Sequence, residues 1–149
     1  MTQLKVGDKA PDFAIANQNG EIISLENFKG KNLILYFYPK DNTPGCTAEA
    51  CDFRDNYAML QKKGYEVVGV SVDSSKKHQN FIAKYSLPFT LLADMDKKMV
   101  IDYGVWGRKK MMGREYDGIH RTTFVINKKG VITKVITDVD TKNATSQLL

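Results

Sequence analysis

The chain has 149 residues and a hydrophobic content of 42%, which suits one domain with a buried core and excludes gross disorder. No apolar run approaches the roughly 20 residues that a membrane helix needs, and the N-terminus has no apolar signal segment, so we expect a cytoplasmic protein that does not associate with membranes. The net charge is +5, but basic residues gather only at 108–110, with Arg114 nearby; we interpret this cluster as a solvated loop and expect no nucleic-acid partner.

The N-terminal part of the chain predicts a hairpin and then a buried strand. Asn17–Gly20 lies between the apolar runs Phe13–Ile15 and Ile22–Ser24, which is typical of a β-hairpin turn. Asn32–Tyr38 is nearly all apolar and rich in β-forming residues, as expected for a strand buried on both faces. After this strand, the chain changes to a helix near Cys46.

The helix near Cys46 is predicted by hydrophobic periodicity. Spacings of four and three residues put five side chains on one helix face: Cys46, Ala50, Phe53, Tyr57 and Leu60. A second helix, capped by Ser74 or Ser75, is expected to run to about Tyr85 with its apolar side chains facing inward. Pro88 prevents its continuation.

Further strands are predicted between and after these helices, and they set the fold class. They are Val67–Val72, Phe89–Leu92, Thr122–Ile126 and Val131–Ile136, the last two joined by a turn at 127–130. Alternating strands and helices indicate an α/β fold with helices flanking a central sheet, and the closing hairpin makes that sheet mixed. Because no repeat or linker divides the chain, we expect one domain over residues 1–149.

Cys46 lies where a thiolate is favoured. It falls in the first turn of its helix, where unpaired backbone N–H groups and the helix dipole stabilise an anion. Pro44 suits the first helical position, which makes Thr43 the N-cap. A nearby cation would add to this effect, and Arg121, which leads into a predicted strand, is the basic residue that we choose.

Cys51 is the only other cysteine, five residues after Cys46. In an ideal α-helix the Cα atoms of residues five apart are separated by roughly 8 to 9 Å, beyond the limit of about 7 Å for a disulfide. The two cysteines therefore cannot bond unless the first helical turns unwind. Spacing alone leaves open a simpler interpretation, in which both are ordinary helix cysteines without redox function.

Other residue patterns give weaker indications. The Cys-x4-Cys spacing differs from a thioredoxin-type Cys-x-x-Cys motif. His78 and His120 lack a recognisable metal-ligand spacing, so we expect no metal and assign both to packing or to the surface. We interpret Trp106 and Tyr103, together with the Met111–Met112 pair, as packing residues rather than as a substrate site.

The segment Pro39-x-x-x-Thr43-x-x-Cys46 resembles the peroxiredoxins, and Thr43–Asp55 is most similar to the bacterioferritin comigratory protein group, also called the peroxiredoxin Q group. Further matches cover nearly the whole chain: Val6–Phe13, Ser71–Ser74, Tyr103–Trp106 and Arg121–Phe124. The resemblance implies a thioredoxin-like fold and a thiol peroxidase that reduces hydrogen peroxide and organic hydroperoxides. It implies no organic cofactor.

The resemblance also implies residue roles. Cys46 would be the attacking thiolate, which becomes a sulfenic acid. Thr43 would hydrogen-bond the thiolate and the peroxide, Arg121 would stabilise the developing charge, and Pro39 would shield the sulfur from water. Glu49 matches a position that orients the arginine, although stabilisation of the first helical turn is an equal alternative.

By the same resemblance, Cys51 would be the resolving cysteine, closing an intramolecular disulfide that thioredoxin or a similar dithiol reduces. The group suggests a monomer, with a dimer possible. Two alternatives stay open: a non-enzymatic thiol switch that signals to a partner, and a thioredoxin-fold binding or chaperone protein with vestigial thiols. The presence of Thr43, Cys46 and Arg121 argues against the second.

Overall fold

The computed structural model describes residues 2–149. Its strands and helices, in chain order, are β1 (Ala14–Ala16), β2 (Ile22–Ser24), a 3-10 helix (Leu25–Phe28), β3 (Asn32–Phe37), α1 (Pro44–Lys62), β4 (Tyr65–Ser71), α2 (Ser75–Tyr85), β5 (Thr90–Ala93), α3 (Lys98–Asp102), β6 (Trp106–Met111), β7 (Arg114–Ile119), β8 (Thr122–Ile126), β9 (Ile132–Ile136) and α4 (Ala144–Leu148). In this part of the chain no helix is both long and apolar enough to cross a membrane.

The central sheet has the strand order β5-β4-β3-β8-β9. Strands β3, β4 and β5 are parallel and joined through α1 and α2, whereas β8 pairs antiparallel with β3 and β9 pairs antiparallel with β8. The predicted α/β class and mixed sheet are confirmed, and β1 and β2 form the predicted N-terminal hairpin.

Strand β3 lies in the middle of the sheet and contributes to the core on both faces. Leu33, Leu35 and Phe37 pack into a cluster that includes residues of α3 and the N-terminal segment. The side chains that alternate with them, among them Ile34 and Tyr36, pack on the other face against α1, α2 and α4. This alternation explains why the strand is apolar throughout, since each side chain is buried on one face or the other.

The register of β3 and β8 determines where the polar site forms. Phe37, the last residue of β3, pairs with Thr122, the first residue of β8. The chain entering β8 therefore lies beside the chain leaving β3. Arg121 immediately precedes β8, and α1 begins seven residues after β3 ends, so the sheet brings Arg121 next to the start of α1.

The prediction of a solvated basic loop at residues 108–110 is wrong. These residues belong to β6, which pairs with β7 in an antiparallel hairpin. Its two-residue turn, Met112-Gly113, has positive φ at both positions (51° and 80°), as a type I′ turn requires.

The packing role expected for the Met111–Met112 pair is also wrong, because Met112 is 96% exposed and Met111 is 59% exposed. Tyr103 is buried, and Trp106 is half-buried against the core.

Candidate active site

Cys46 is held in the first turn of α1 by local sequence. Thr43 is the N-cap with extended backbone, Pro44 is the first helical residue, and the Thr43 carbonyl accepts the first helical hydrogen bond from the Thr47 N–H at 2.8 Å. The amide of Cys46 is thus among the first-turn N–H groups that lack an intrahelical acceptor. Cys46 is 1% exposed, so its sulfur lies in a nearly water-free environment at the positive end of the helix.

Arg121 bridges Cys46 to a buried carboxylate. One guanidinium nitrogen, Nη2, donates to Cys46 Sγ at 3.4 Å, and the other, Nη1, donates to Glu49 Oε1 at 2.8 Å. A Cβ atom added at Gly45 would lie 3.2 Å from Arg121 Nη2, so the close approach of the guanidinium depends on the missing side chain at that position. The structure therefore brings together three sequence-predicted site residues from two distant segments.

Glu49 is completely buried, and this sets its electrostatics. Burial raises the pKa of Glu49 to about 7, and the Arg121 guanidinium opposes that rise. Its second oxygen, Oε2, has no hydrogen-bond partner among residues 2–149. Burial lowers the pKa of Arg121, but the neighbouring Cys46 and Glu49 outweigh this effect and raise it. Glu49 thus binds the Arg121 guanidinium in a buried environment.

Thr43 and Pro39 lie on the segment between β3 and α1. Although Thr43 occupies the N-cap position, its side chain makes no capping hydrogen bond; instead Oγ1 donates to the Lys40 carbonyl at 2.8 Å. Its oxygen lone pairs therefore stay available as acceptors. Pro39 is half-buried and directly follows the buried Tyr38.

Cys51 lies one and a half turns further along the same helix. It is half-buried, both cysteines are free thiols, and α1 is continuous through both positions. In such a helix the two Cα atoms are about 8 to 9 Å apart, too far for a disulfide. The fold as it stands is therefore that of the dithiol protein.

A second buried polar group was not predicted from the sequence: Tyr38, Asp41 and His78, here called the Tyr38–Asp41–His78 cluster. His78 is 0% exposed; its Nδ1 lies 2.6 Å from Asp41 Oδ2, and its Nε2 donates to the Leu92 carbonyl at 2.9 Å. The Tyr38 hydroxyl donates to Asp41 Oδ1 at 2.5 Å. His78 is thus a hydrogen-bonded core residue that ties α2 to the segment preceding Cys46.

Asp73 extends the cluster. Its Oδ2 accepts hydrogen bonds from the Asp41 N–H at 2.8 Å and from the Ser71 hydroxyl at 2.7 Å. The only sequence signal for this arrangement was the position of His78 three residues before Phe81, on the inner face of its helix. His120, the other histidine, is half-buried and donates through Nε2 to the Arg108 carbonyl at 3.0 Å.

Comparison with known proteins shows the family of the chain. The family model of the AhpC/TSA family matches residues 6–135. The chain belongs to the AhpC/TSA family. A putative peroxiredoxin Bcp from Coxiella burnetii is 54% identical and aligns with 89% of this chain and 87% of its own. Peroxiredoxin Bcp from Escherichia coli K12 is 47% identical, with 96% and 92% covered.

Solved structures lead to the same group. A mutant of peroxiredoxin Q from Xylella fastidiosa superposes with a TM-score of 0.93 at 28% identity, covering 99% of this chain and 94% of the other. The bacterioferritin comigratory protein of Xanthomonas campestris gives a TM-score of 0.90 at 32% identity with the same coverage. The resemblance to the peroxiredoxin Q group and the thioredoxin-like fold are confirmed, and this peroxiredoxin is a thiol-dependent peroxidase with a peroxide substrate and a thiol reductant.

Proposed function

We propose that this peroxiredoxin reduces hydrogen peroxide and organic hydroperoxides with Cys46 as the attacking thiolate, and that residues 1–149 act as one catalytic unit in the cytoplasm. The observation that carries the proposal is the 3.4 Å contact between Arg121 Nη2 and Cys46 Sγ in the first turn of α1. The helix terminus and the guanidinium both stabilise a negative sulfur. The Xanthomonas campestris relative, described as having alkyl peroxide reduction activity, supports the inclusion of organic hydroperoxides.

The first step transfers one oxygen atom to sulfur. The Cys46 thiolate attacks one oxygen of the peroxide, an S–O bond forms, and the O–O bond breaks. The other oxygen leaves as hydroxide or alkoxide and takes up a proton to give water or an alcohol. Cys46 is thereby oxidised to a sulfenic acid, and the peroxide is reduced.

The surrounding residues favour this step by position and charge. Arg121 has N–H groups directed at the reacting sulfur and would stabilise the charge developing on the leaving oxygen. Glu49 would hold the guanidinium in that orientation through the 2.8 Å hydrogen bond. Thr43 would accept the peroxide O–H, because its own proton is donated to the Lys40 carbonyl; the expected hydrogen bond to the thiolate would require the hydroxyl to turn away from Lys40. Pro39 would limit water access to the thiolate.

We propose that Cys51 resolves the sulfenic acid. Its thiolate attacks Cys46 Sγ, an S–S bond forms, and the S–O bond breaks; the sulfenic oxygen leaves as hydroxide, which takes up a proton to give water. Because an intact α1 keeps the thiols apart, the first turns must unwind beforehand. At Asp52, the next residue, Oδ1 accepts the Thr145 N–H at 2.8 Å, so unwinding would also loosen the contact of α1 with α4.

Reduction of the disulfide completes the cycle. A dithiol such as thioredoxin attacks one sulfur, forms a mixed disulfide and then leaves oxidised, which returns both cysteines to thiols. We expect the peroxiredoxin to act as a monomer, with a dimer as the alternative. No organic cofactor or metal is required for any of these steps.

Peroxide consumption in the presence of thioredoxin, thioredoxin reductase and NADPH tests the proposal. We expect turnover by wild type, none by Cys46→Ser, and a trapped Cys46 sulfenic acid in Cys51→Ser. Unchanged turnover in Cys46→Ser would overturn the assignment. A single stoichiometric oxidation of wild type, without turnover when several dithiol donors are supplied, would favour the thiol switch instead.

Amide hydrogen exchange tests the unwinding separately. In the reduced protein we expect residues 46–52 to be protected as part of α1, and in the oxidised protein we expect that protection to fall. Residues 54–60 of the same helix serve as the internal control, because they lie beyond the disulfide. Equal protection of residues 46–52 in both redox states would contradict the requirement for unwinding.

A further inference from the structure

One basic residue of the β6–β7 hairpin binds the backbone just before Arg121. Along β6 the side chains alternate: Arg108 and Lys110 are exposed, whereas Lys109 is half-buried. Arg108 pairs on the surface with Asp117 at 3.3 Å. Lys109 turns the other way, and its Nζ donates to the carbonyl of Ile119 at 2.8 Å. Three adjacent basic residues thus have different environments.

Ile119 is the last residue of β7, and only His120 and Arg121 separate it from β8. Three hydrogen bonds from residues 105–109 hold this short link and the strand end that precedes it. Lys109 Nζ donates to Ile119 O, His120 N–H donates to the Val105 carbonyl at 2.7 Å, and His120 Nε2 donates to the Arg108 carbonyl at 3.0 Å. The backbone that carries Arg121 is therefore fixed by the hairpin on one side and by β8 on the other.

Space for the Lys109 side chain is provided by a glycine. A Cβ atom added at Gly118 would lie 3.2 Å from Lys109 Cδ, closer than an ordinary contact. The aliphatic part of the lysine thus packs against bare backbone on its way to Ile119. Burial lowers the pKa of Lys109, and the positive charge of Arg121 lowers it further, whereas Cys46 acts in the opposite direction. Because its ammonium group binds the carbonyl of Ile119, two residues before Arg121, the positive charge of Lys109 lies near the segment that carries Arg121.

We propose that Lys109 is a positioning residue for the peroxidase reaction: its ammonium group holds the Ile119 carbonyl, fixes the link that presents Arg121 to Cys46, and adds a positive charge in the neighbourhood of that link. This inference rests on the proposed function of Cys46 and Arg121. Lys109 does not touch the reacting atoms; it acts through Arg121 and through the local potential. Removing it should therefore slow the reaction less than removing Arg121 itself.

The kinetic test compares three variants made in a Cys51→Ser background, in which Cys46 is the sole thiol. Lys109→Met removes both the charge and the hydrogen bond, Lys109→Arg keeps both, and Lys110→Met removes an exposed neighbouring charge. We expect the rate constant for Cys46 oxidation by hydrogen peroxide, followed by quenched-flow mass spectrometry, to fall about tenfold in Lys109→Met. Lys110→Met should stay within about twofold of the parent, and Lys109→Arg should recover most of the loss.

A second measurement reports the electrostatic potential at Cys46 and needs no peroxide. Iodoacetate is an anion and iodoacetamide is neutral, so the ratio of their alkylation rates reports the local potential. We expect this ratio to fall about threefold in Lys109→Met and to stay unchanged in Lys110→Met. A purely structural loss would slow both reagents equally. Since alkylation does not depend on peroxide turnover, it tests Lys109 even if the proposed peroxidase cycle is wrong.

Equal behaviour of Lys109→Met and Lys110→Met in both measurements would overturn the proposal. If Lys109→Met does not fold, as judged by thermal melting, Gly118→Ala replaces it, because the added methyl displaces the lysine stem without removing the charge. We then expect a loss of peroxide reactivity in Gly118→Ala. A Gly118→Ala protein that reacts like its parent would likewise overturn the positioning role.

Discussion

The two buried polar groups near the start of α1 differ in how completely their hydrogen bonds are satisfied. In the Tyr38–Asp41–His78 cluster both carboxylate oxygens of Asp41 and both ring nitrogens of His78 have partners. At the candidate active site Glu49 Oε2 has no partner among the described residues, and Cys46 Sγ has a single long contact with Arg121. A fully satisfied network fixes one conformation, whereas an incompletely satisfied one keeps groups free to act on a substrate.

The two polar groups are joined by the segment between β3 and α1, so the difference between them affects how that segment is held. Asp41 anchors that segment on the side of α2, and Cys46 lies at its other end. We therefore expect the satisfied cluster to hold the segment in place during the proposed unwinding of the first turns of α1. We expect substitutions in the first group to act mainly on stability and substitutions in the second to act mainly on reactivity.

The largest effect is expected at Arg121. Arg121→Met should lower the rate constant for Cys46 oxidation by hydrogen peroxide by about 10²- to 10³-fold, because the donors directed at the reacting sulfur are lost. Its unfolding free energy should fall by only about 1 kcal/mol, since Glu49 can take up a proton when its cation is absent. Arg114→Met, on the exposed start of β7, is the control. A rate within threefold of wild type in Arg121→Met would contradict the proposed role.

At His78 we expect a large loss of stability rather than a large loss of reactivity. His78→Leu removes two buried hydrogen bonds and leaves the Asp41 carboxylate with one partner fewer, which should lower the unfolding free energy by about 2–4 kcal/mol. Urea unfolding of the reduced protein measures this loss, with Lys76→Leu on the exposed face of α2 as the matched control. If both leucine variants unfolded at the same urea concentration, the cluster would have no stabilising role.

We expect Glu49 to make the stability of the protein depend on pH. Its pKa is about 7 in the folded protein against 4.5 for an unperturbed glutamate, so between these values the folded state binds more protons than the unfolded state. Its contribution therefore makes the unfolding free energy fall as the pH rises from about 4.5 to about 7. The full effect is at most about 3 kcal/mol.

Urea unfolding of wild type and Glu49→Gln at several pH values between 5 and 8 isolates this effect, because every other titrating group is shared. We expect wild type to lose stability relative to Glu49→Gln as the pH rises, with little further change above pH 8. A difference between the two proteins that is independent of pH would show that Glu49 does not change its protonation in this range.

The smallest effects concern two tyrosines whose rings stack with centroids 5.4 Å apart. The Tyr38 hydroxyl binds Asp41, whereas the Tyr36 hydroxyl is buried without a hydrogen-bond partner in residues 2–149. Tyr38→Phe should cost about 1–2 kcal/mol of unfolding free energy, while Tyr36→Phe should be neutral or stabilising by up to about 1 kcal/mol. Urea unfolding measures both effects. If the two substitutions destabilised the protein equally, the two hydroxyl groups would not differ in their contribution to stability.

Local sequence patterns predicted most of the elements because they depend on neighbouring residues. The apolar run at residues 32–38 predicted β3, and the three- and four-residue spacings predicted the buried face of α1. Ser74 caps α2, as expected. The β6–β7 hairpin was missed for an equally physical reason. Both of its strands are largely exposed and rich in charged residues, so they carry no apolar alternation to mark them.

The sequence by itself determined that Cys46 lies in the first turn of α1 and that an intact helix keeps it from bonding to Cys51, because Pro44 and the five-residue spacing act within one helix. The tertiary structure alone decided which side chains meet Cys46. Arg121 is 75 residues away and reaches Cys46 through the pairing of Phe37 with Thr122, and the hairpin brings Lys109 to the carbonyl of Ile119, two residues before Arg121. Such contacts depend on strand order and register, which follow from packing the whole core rather than from any local pattern.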